Sequence, residues 1–283
     1  MAAGLSGDYD LHVPAGFGAR PLPLVVDLHG YSETAVLQVD VSHWDTFGDQ
    51  HGLISVTPEI TRVVPLWNTQ LGSADLAWFG ALVRSVESAQ CVDLNRVYVD
   101  GYSDGAFMTS AVACQFAGEV AAVAPVAGIQ APTGCHPSRP VPVIAFHGTA
   151  DPFVNYEGGL GPKALALPAP NGHGTLGQSG QAAAGPPGSS IPDQAATWAR
   201  RNGCGETPTY RDVASKVTLI NYPCPADASV ELYRVTGGGH AWPGSPFSRS
   251  IAGVVGYTTF AISADDLMWA FFEAHPLHPP VSG

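Results

Sequence analysis

The sequence predicts an α/β fold, with a mostly parallel central sheet and helices on both faces. Three observations carry this. Short, continuous apolar runs recur along the chain and end in Gly, Pro or a polar turn. Segments with helical spacing lie between them. One run leads directly into a Gly-Tyr-Ser-Asp-Gly turn that opens a helix. Parallel strands need crossover connections, and those crossovers place helices on the sheet faces.

The first strand is expected at 23–30, an apolar run ending in His29-Gly30. Residues 53–57 form the second and stop at Pro58. The third, 96–100, ends at Gly101. Further strands are expected at 120–126, 141–147 and 230–235. Their unbroken, β-branched character marks strands buried on both faces. Residues 75–89 form a helix, with Leu76, Phe79, Leu82, Val83 and Val86 on one stripe. Residues 103–117 form another. The last, 264–275, is opened by Ser263 with Asp266 three residues on and closed before Pro276. Residues 158–190 are rich in Gly, Ala, Pro and Ser and lack periodicity. A stretch of that length is functional or floppy. It is read as a lid-like insertion in a single domain spanning 1–283.

The chain has 283 residues, enough for a large core. Only 13% are charged, and 45% are hydrophobic. That balance excludes a disordered chain. The 33 glycines and 25 prolines indicate many loops. The net charge is −12, and the lysines are Lys163 and Lys216 alone. Nucleic acid is therefore excluded as a partner, because phosphate contacts need clustered cations. Anionic membrane is disfavoured too. No apolar stretch approaches the ~20 residues of a membrane span. The start, Met1-Ala-Ala-Gly-Leu, lacks the pattern of a secretory signal. The chain is either cytosolic or a mature domain behind an added Met.

The five cysteines are Cys91, Cys114, Cys135, Cys204 and Cys224, with no C-x-x-C pair to hold zinc. Cys204 and Cys224 are either two buried thiols or a bridge closing a loop of about 20 residues, worth roughly 3 kcal/mol. A bridge places the protein outside the cell. Cys91, Cys114 and Cys135 cannot all pair with one another, so at least one is free or pairs between molecules.

Gly101-Tyr-Ser-Asp-Gly105 has the G-x-S-x-G form. Its strand–turn–helix setting is that of a nucleophile elbow in an α/β-hydrolase fold. Ser103 then stands at a helix N-terminus, where developing negative charge is favoured. The structural alternative is an ordinary N-cap serine. A nucleophilic serine needs a base, and the base an orienting acid, each past a strand end in the order Ser, acid, His. Asp151 follows the 141–147 strand, and His240 follows the 230–235 strand after Gly237–Gly239. The rival acids are Asp75, which suits the start of its helix, and Asp27, inside a strand. His147 is read as supporting the Asp151 turn. The oxyanion donors are expected to be Asp104 N–H and Tyr31 N–H, with Gly30 in reserve. Tyr31, Trp67, Phe107 and Trp242 are the aromatic candidates for a substrate cleft, Trp242 foremost because it lies two residues past His240. Core packing is the alternative for each.

Asp10-Leu-His-Val-Pro, Val26-Asp-Leu-His-Gly-Tyr, Asn95-Arg-Val-Tyr-Val, Gly101-Tyr-Ser-Asp-Gly-Ala, His147-Gly-Thr-Ala-Asp-Pro and Gly237-Gly-Gly-His-Ala-Trp-Pro-Gly occur in that order. With Asn202-Gly-Cys and Trp269-Ala-Phe-Phe, they make the chain resemble the polyhydroxybutyrate depolymerase and feruloyl esterase family of secreted bacterial α/β-hydrolases. The resemblance implies the same triad, a Cys204–Cys224 bridge and secretion. It implies a serine esterase acting on polyester, feruloyl-type or other aromatic esters, terephthalates included. Two departures touch the substrate mouth: Asp104 stands where an amide or Met is usual, and the 158–190 segment is long. No metal or organic cofactor is implied, and a monomer is expected. The competing functions are a peptidase on the same fold and a non-catalytic binding protein on a hydrolase scaffold. The chain shows no propeller or cap domain of the kind such peptidases often carry. The intact triad order argues against a binding protein.

Overall fold

A computed structural model describes residues 2–18, 20–179 and 189–277. The strands are β1 (Gly7–His12), β2 (Leu22–Leu28), β3 (Ile54–Ile60), β4 (Val92–Tyr102), β5 (Ala122–Val126), β6 (Val143–Gly148), β7 (Thr209–Ala214), β8 (Val217–Asn221) and β9 (Val230–Val235). The helices are α1 (Ala35–Ser42), α2 (Trp44–His51), α3 (Ala74–Ala89), α4 (Asp104–Gln115), α5 (Pro162–Leu165), α6 (Ile191–Arg201), α7 (Pro246–Ser250), α8 (Ala252–Val255) and α9 (Ala264–Ala274). The strands form one sheet in the order β1-β3-β2-β4-β5-β6-β9-β8-β7. The five neighbouring pairs between β3 and β9 are parallel. Antiparallel strands close both edges. The expected mostly parallel sheet is therefore present.

Alternation along the central strands builds a core on each face. Leu24, Val26 and Leu28 of β2 and Val97 and Val99 of β4 pack with the buried stripes of α3, α4 and α6. Val25 and Tyr98 point the other way, toward Trp44 of α2 and Met268 and Phe272 of α9. The predicted α3 stripe is buried as expected.

Carboxyl groups occupy the second face. Asp27 and Asp100 are register partners on β2 and β4, both fully buried. Asp27 accepts from Gln38 Nε2 (2.5 Å) and Ser42 Oγ (2.6 Å), and Asp100 accepts from the Trp44 indole. Nearby Asp265 accepts from Trp242 Nε1 at 2.8 Å. Burial pushes Asp27 up to about 7 and Asp265 up to about 8, and holds Asp100 well above the carboxylate range. Such groups stay protonated in the folded chain while the unfolded chain ionises. Their stabilisation is complete below pH ~4, the unfolded value, and is lost as pH rises toward 7–8. Each contributes a slope of roughly 1.4 kcal/mol per pH unit across that window. The melting temperature is therefore expected to be higher at pH 5.5 than at pH 8.5, in contrast to ordinary acid lability. Calorimetry across this range checks it; a flat or rising profile toward pH 8.5 contradicts the assignment.

Two disulfides are present, Cys204–Cys224 and Cys114–Cys135, while Cys91 is free and exposed. The second bridge ties the end of α4 to the β5–β6 connection. Each closes a loop of about 20 residues, worth roughly 3 kcal/mol by loop entropy. The Cys114→Ser/Cys135→Ser variant is expected to lose about that much stability in urea unfolding. A loss under about 0.5 kcal/mol would mean the bridge does not constrain the unfolded chain.

Candidate active site

Three strand ends converge at one edge of the sheet. β4 ends at Tyr102, and Ser103 caps α4 with φ 58° and ψ −114°, a region that non-glycine residues rarely enter. Such a turn costs about 1–3 kcal/mol and persists only where neighbours over-determine it. Here Ser103 N–H donates to Val126 O (2.9 Å), and Ser103 O accepts from the amides of Ala106 (3.0 Å) and Phe107 (3.2 Å).

The expected acid, Asp151, and the expected base, His240, follow neighbouring strands. β6 and β9 are parallel with Gly148 opposite Val235, so the following loops leave side by side. Ala150 N–H donates to Gly238 O, and Gly237 N–H to Thr149 Oγ1, each at 2.8 Å. These bonds bring Asp151 against His240, with His240 Nδ1 2.7 Å from Asp151 Oδ2. Asp151 Oδ1 is occupied by the amides of Phe153 (2.8 Å) and Val154 (2.9 Å), which aims Oδ2 at the ring. Burial by itself raises the Asp151 carboxyl, but His240, His147 and the Val154 amide together outweigh it and leave the group below its ordinary value. An ionised Asp151 makes Nδ1 the protonated nitrogen and leaves Nε2 able to accept a proton. The imidazole lies between the rings of Tyr102 (4.9 Å) and Phe153 (4.8 Å), and Tyr102 Oη–H donates to His240 O at 2.5 Å. Sequence reasoning missed both rings, although each lies within two residues of a predicted triad member.

The other candidates have other partners. Asp75 accepts from Arg62 (2.5 Å) and Asn68 N–H (2.7 Å), and Asp27 faces α1. His147 Nε2 lies 2.9 Å from Val154 O and 3.4 Å from Asp151 Oδ2, within the Asp151 turn.

Ser103 opens onto a cavity of about 510 Å³. Tyr31, Trp67, Phe107 and Asp104 line it, as the sequence suggested. Trp67 is braced: its amide donates to Asp104 Oδ2 (2.7 Å) and its indole N–H to His29 O (2.9 Å). Burial pushes Asp104 up to about 7, against the opposing Trp67 hydrogen bond. Trp242 does not reach the cavity. It is 0% exposed, packs on Tyr102 and spends its N–H on Asp265, so it is a core residue. Leu160, Ala164, Leu167 and Leu176 form an apolar part of the wall. They belong to the expected insertion, of which residues 180–188 lie outside the described residues. That segment is anchored by Tyr31 Oη–H to Pro168 O (2.7 Å) and by Lys163 Nζ to Val254 O (2.6 Å). Among the described residues, the amides of Tyr31 and Asp104 donate to no protein acceptor, and no cluster suits a metal ion.

The chain is similar to several known esterases. A bifunctional acetylxylan esterase/xylanase of Neocallimastix patriciarum is 32% identical over 149 residues, 52% of this chain and 22% of that protein. Feruloyl esterase B of Piromyces equi is 29% identical over 248 residues, 81% of this chain and 41% of that protein. The chain thus spans less than half the length of either. Among solved structures, an acetyl xylan esterase from Aspergillus awamori superposes with TM-score 0.62 at 16% identity, covering 96% of this chain and 99% of that one. The shared fold is that of α/β-hydrolase esterases. The Esterase PHB depolymerase family model matches residues 7–152, a span holding β2, the Ser103 elbow and Asp151. The chain belongs to the esterase PHB depolymerase family.

Proposed function

We propose that the protein is a serine carboxylic-ester hydrolase acting through Ser103, His240 and Asp151 on polyester or aromatic esters of the feruloyl type. The observation that carries this is the Asp151–His240 pair, 2.7 Å apart, with the His240 ring against Tyr102, the residue that precedes a strained serine opening onto a cavity. Ser103 Oγ attacks the ester carbonyl and His240 Nε2 takes its proton. The alcohol leaves with that proton. Water, deprotonated by His240, then releases the acid and frees Ser103. Asp151 orients the ring and stabilises the imidazolium. The amides of Tyr31 and Asp104 hold the oxyanion.

The walls support this substrate class. About 510 Å³ suits one small aromatic or hydroxyacyl unit, and Trp67, Phe107, Leu160 and Leu176 offer apolar faces. The insertion supplies much of that surface, so it serves as a lid-like wall. The two disulfides support an extracellular site of action.

A parallel assay on methyl ferulate, poly(3-hydroxybutyrate), acetylated xylan, a terephthalate polyester and p-nitrophenyl esters tests the reading. Turnover is expected on the aryl or polyester substrates. Activity confined to peptide anilides would favour a peptidase. No turnover on any ester would favour a binding protein.

A further inference from the structure

A second carboxyl lies across Gly30 from the nucleophile, and the triad leaves it without a task. After β2 the chain turns through Gly30 to Glu33 before α1. Gly30 N–H donates to Glu33 Oε2 at 2.9 Å, and Glu33 N–H donates back to Gly30 O at 3.2 Å. Ser32 N–H donates to Pro65 O at 2.7 Å. Among the amides of residues 30–33, only that of Tyr31 then lacks a protein acceptor. The turn also touches the elbow. A methyl group on Gly30 would lie 2.5 Å from Glu33 Oε2 and 3.3 Å from Ser103 Cβ, so carboxyl and nucleophile flank the same backbone atom.

We propose that Glu33 is a positioning residue: by capturing Gly30 N–H it fixes the Gly30–Tyr31 peptide so that Tyr31 N–H completes the oxyanion hole. The assignment rests on the Ser103–His240–Asp151 reading. It removes Gly30 as the reserve donor, since its N–H is already spent.

The ionisable groups that interact with Glu33 are Asp27 on β2, Tyr102 and Asp104 at the elbow, and His240 on the β9 loop. Burial pushes the Glu33 carboxyl up to about 7, with the Gly30 N–H and His240 opposing. Above that pH the carboxylate accepts from Gly30 as a charge-assisted bond. Below it the neutral acid holds the turn more weakly. The acid limb of the pH–rate profile therefore includes Glu33 as well as the catalytic base.

The test measures kcat and KM on p-nitrophenyl acetate from pH 5 to 9 for wild type, Glu33→Gln and Glu33→Ala, with fluorophosphonate labelling of each. Glu33→Gln retains an acceptor of the same shape. It is expected to keep KM, lose on the order of tenfold in kcat at pH 8, about the worth of one partly screened charge contact, and show an acid limb shallower by one ionisation. Glu33→Ala frees the turn and is expected to lose on the order of 10²-fold in kcat, as for loss of an oxyanion donor. Labelled wild type together with a Glu33→Gln variant of unchanged kcat and unchanged acid limb overturns the proposal alone. Wild type that neither labels nor turns over overturns the triad reading and this proposal with it.

Discussion

Asp151→Asn is expected to lower kcat by on the order of 10⁴-fold with little change in KM or stability. The reason lies in the two faces of the carboxyl. Its Oδ1 accepts from the amides of Phe153 and Val154, so an Asn places its oxygen there. The amide NH₂ must then face His240 Nδ1, where Oδ2 now sits at 2.7 Å. An NH₂ donor forces the ring proton onto Nε2, the nitrogen that must accept from Ser103. The fold is kept and the tautomer is wrong. Asp75→Asn is the control, because Asp75 is engaged with Arg62 and Asn68 instead. Steady-state kinetics on p-nitrophenyl butyrate check both variants. Loss of activity in Asp75→Asn with retention in Asp151→Asn would assign the acid to Asp75.

Gly105→Ala carries the second large effect. Ala favours a helix over Gly by about 1 kcal/mol, so propensity alone predicts stabilisation. Packing reverses the sign. A Cβ on Gly105 would lie 2.0 Å from Leu28 O and 2.6 Å from His29 O, both backbone atoms that cannot step aside. To relieve the clash α4 must lift from β2. That separates Ser103 and Asp104 from the 29–31 turn that faces them. A net loss of about 3 kcal/mol and of at least about 10²-fold in kcat is expected. Urea unfolding and activity measure the two separately. A variant as stable and active as wild type would show that α4 and β2 are not in this close contact.

What the sequence disclosed follows a physical line. The strands of the sheet centre were legible because burial on both faces leaves continuous apolar runs, as in residues 24–26 of β2 and 143–146 of β6. The edge strands were not: β1 and β7 are largely exposed and carry charge and Tyr where an apolar run would announce them. Helix α6 was missed beside a Gly/Pro-rich stretch, although Ser190 and Asp193 form a capping box at its start. Asp151 and His240 could be singled out because strand ends of a parallel sheet converge on one edge, and the structure pairs their side chains. The cavity was only half readable. Trp67, Phe107 and Tyr31 were named, but Leu160 and Leu176 enter from a segment without periodicity. Trp242 shows the limit of proximity in sequence. Two residues past His240, its side chain turns into the core toward Asp265. Glu33 carried no signal of its own, since only the fold sets its carboxyl beside Gly30 and Ser103.

The central claim is that Ser103 is an activated nucleophile. Intact and peptide mass spectrometry after treatment with a fluorophosphonate probe tests it most directly. A single adduct is expected on the peptide carrying Ser103, none on Ser103→Ala, and strongly slowed labelling of His240→Ala. Wild type that takes up no probe, or a Ser103→Ala variant that still labels at the same rate, would contradict it.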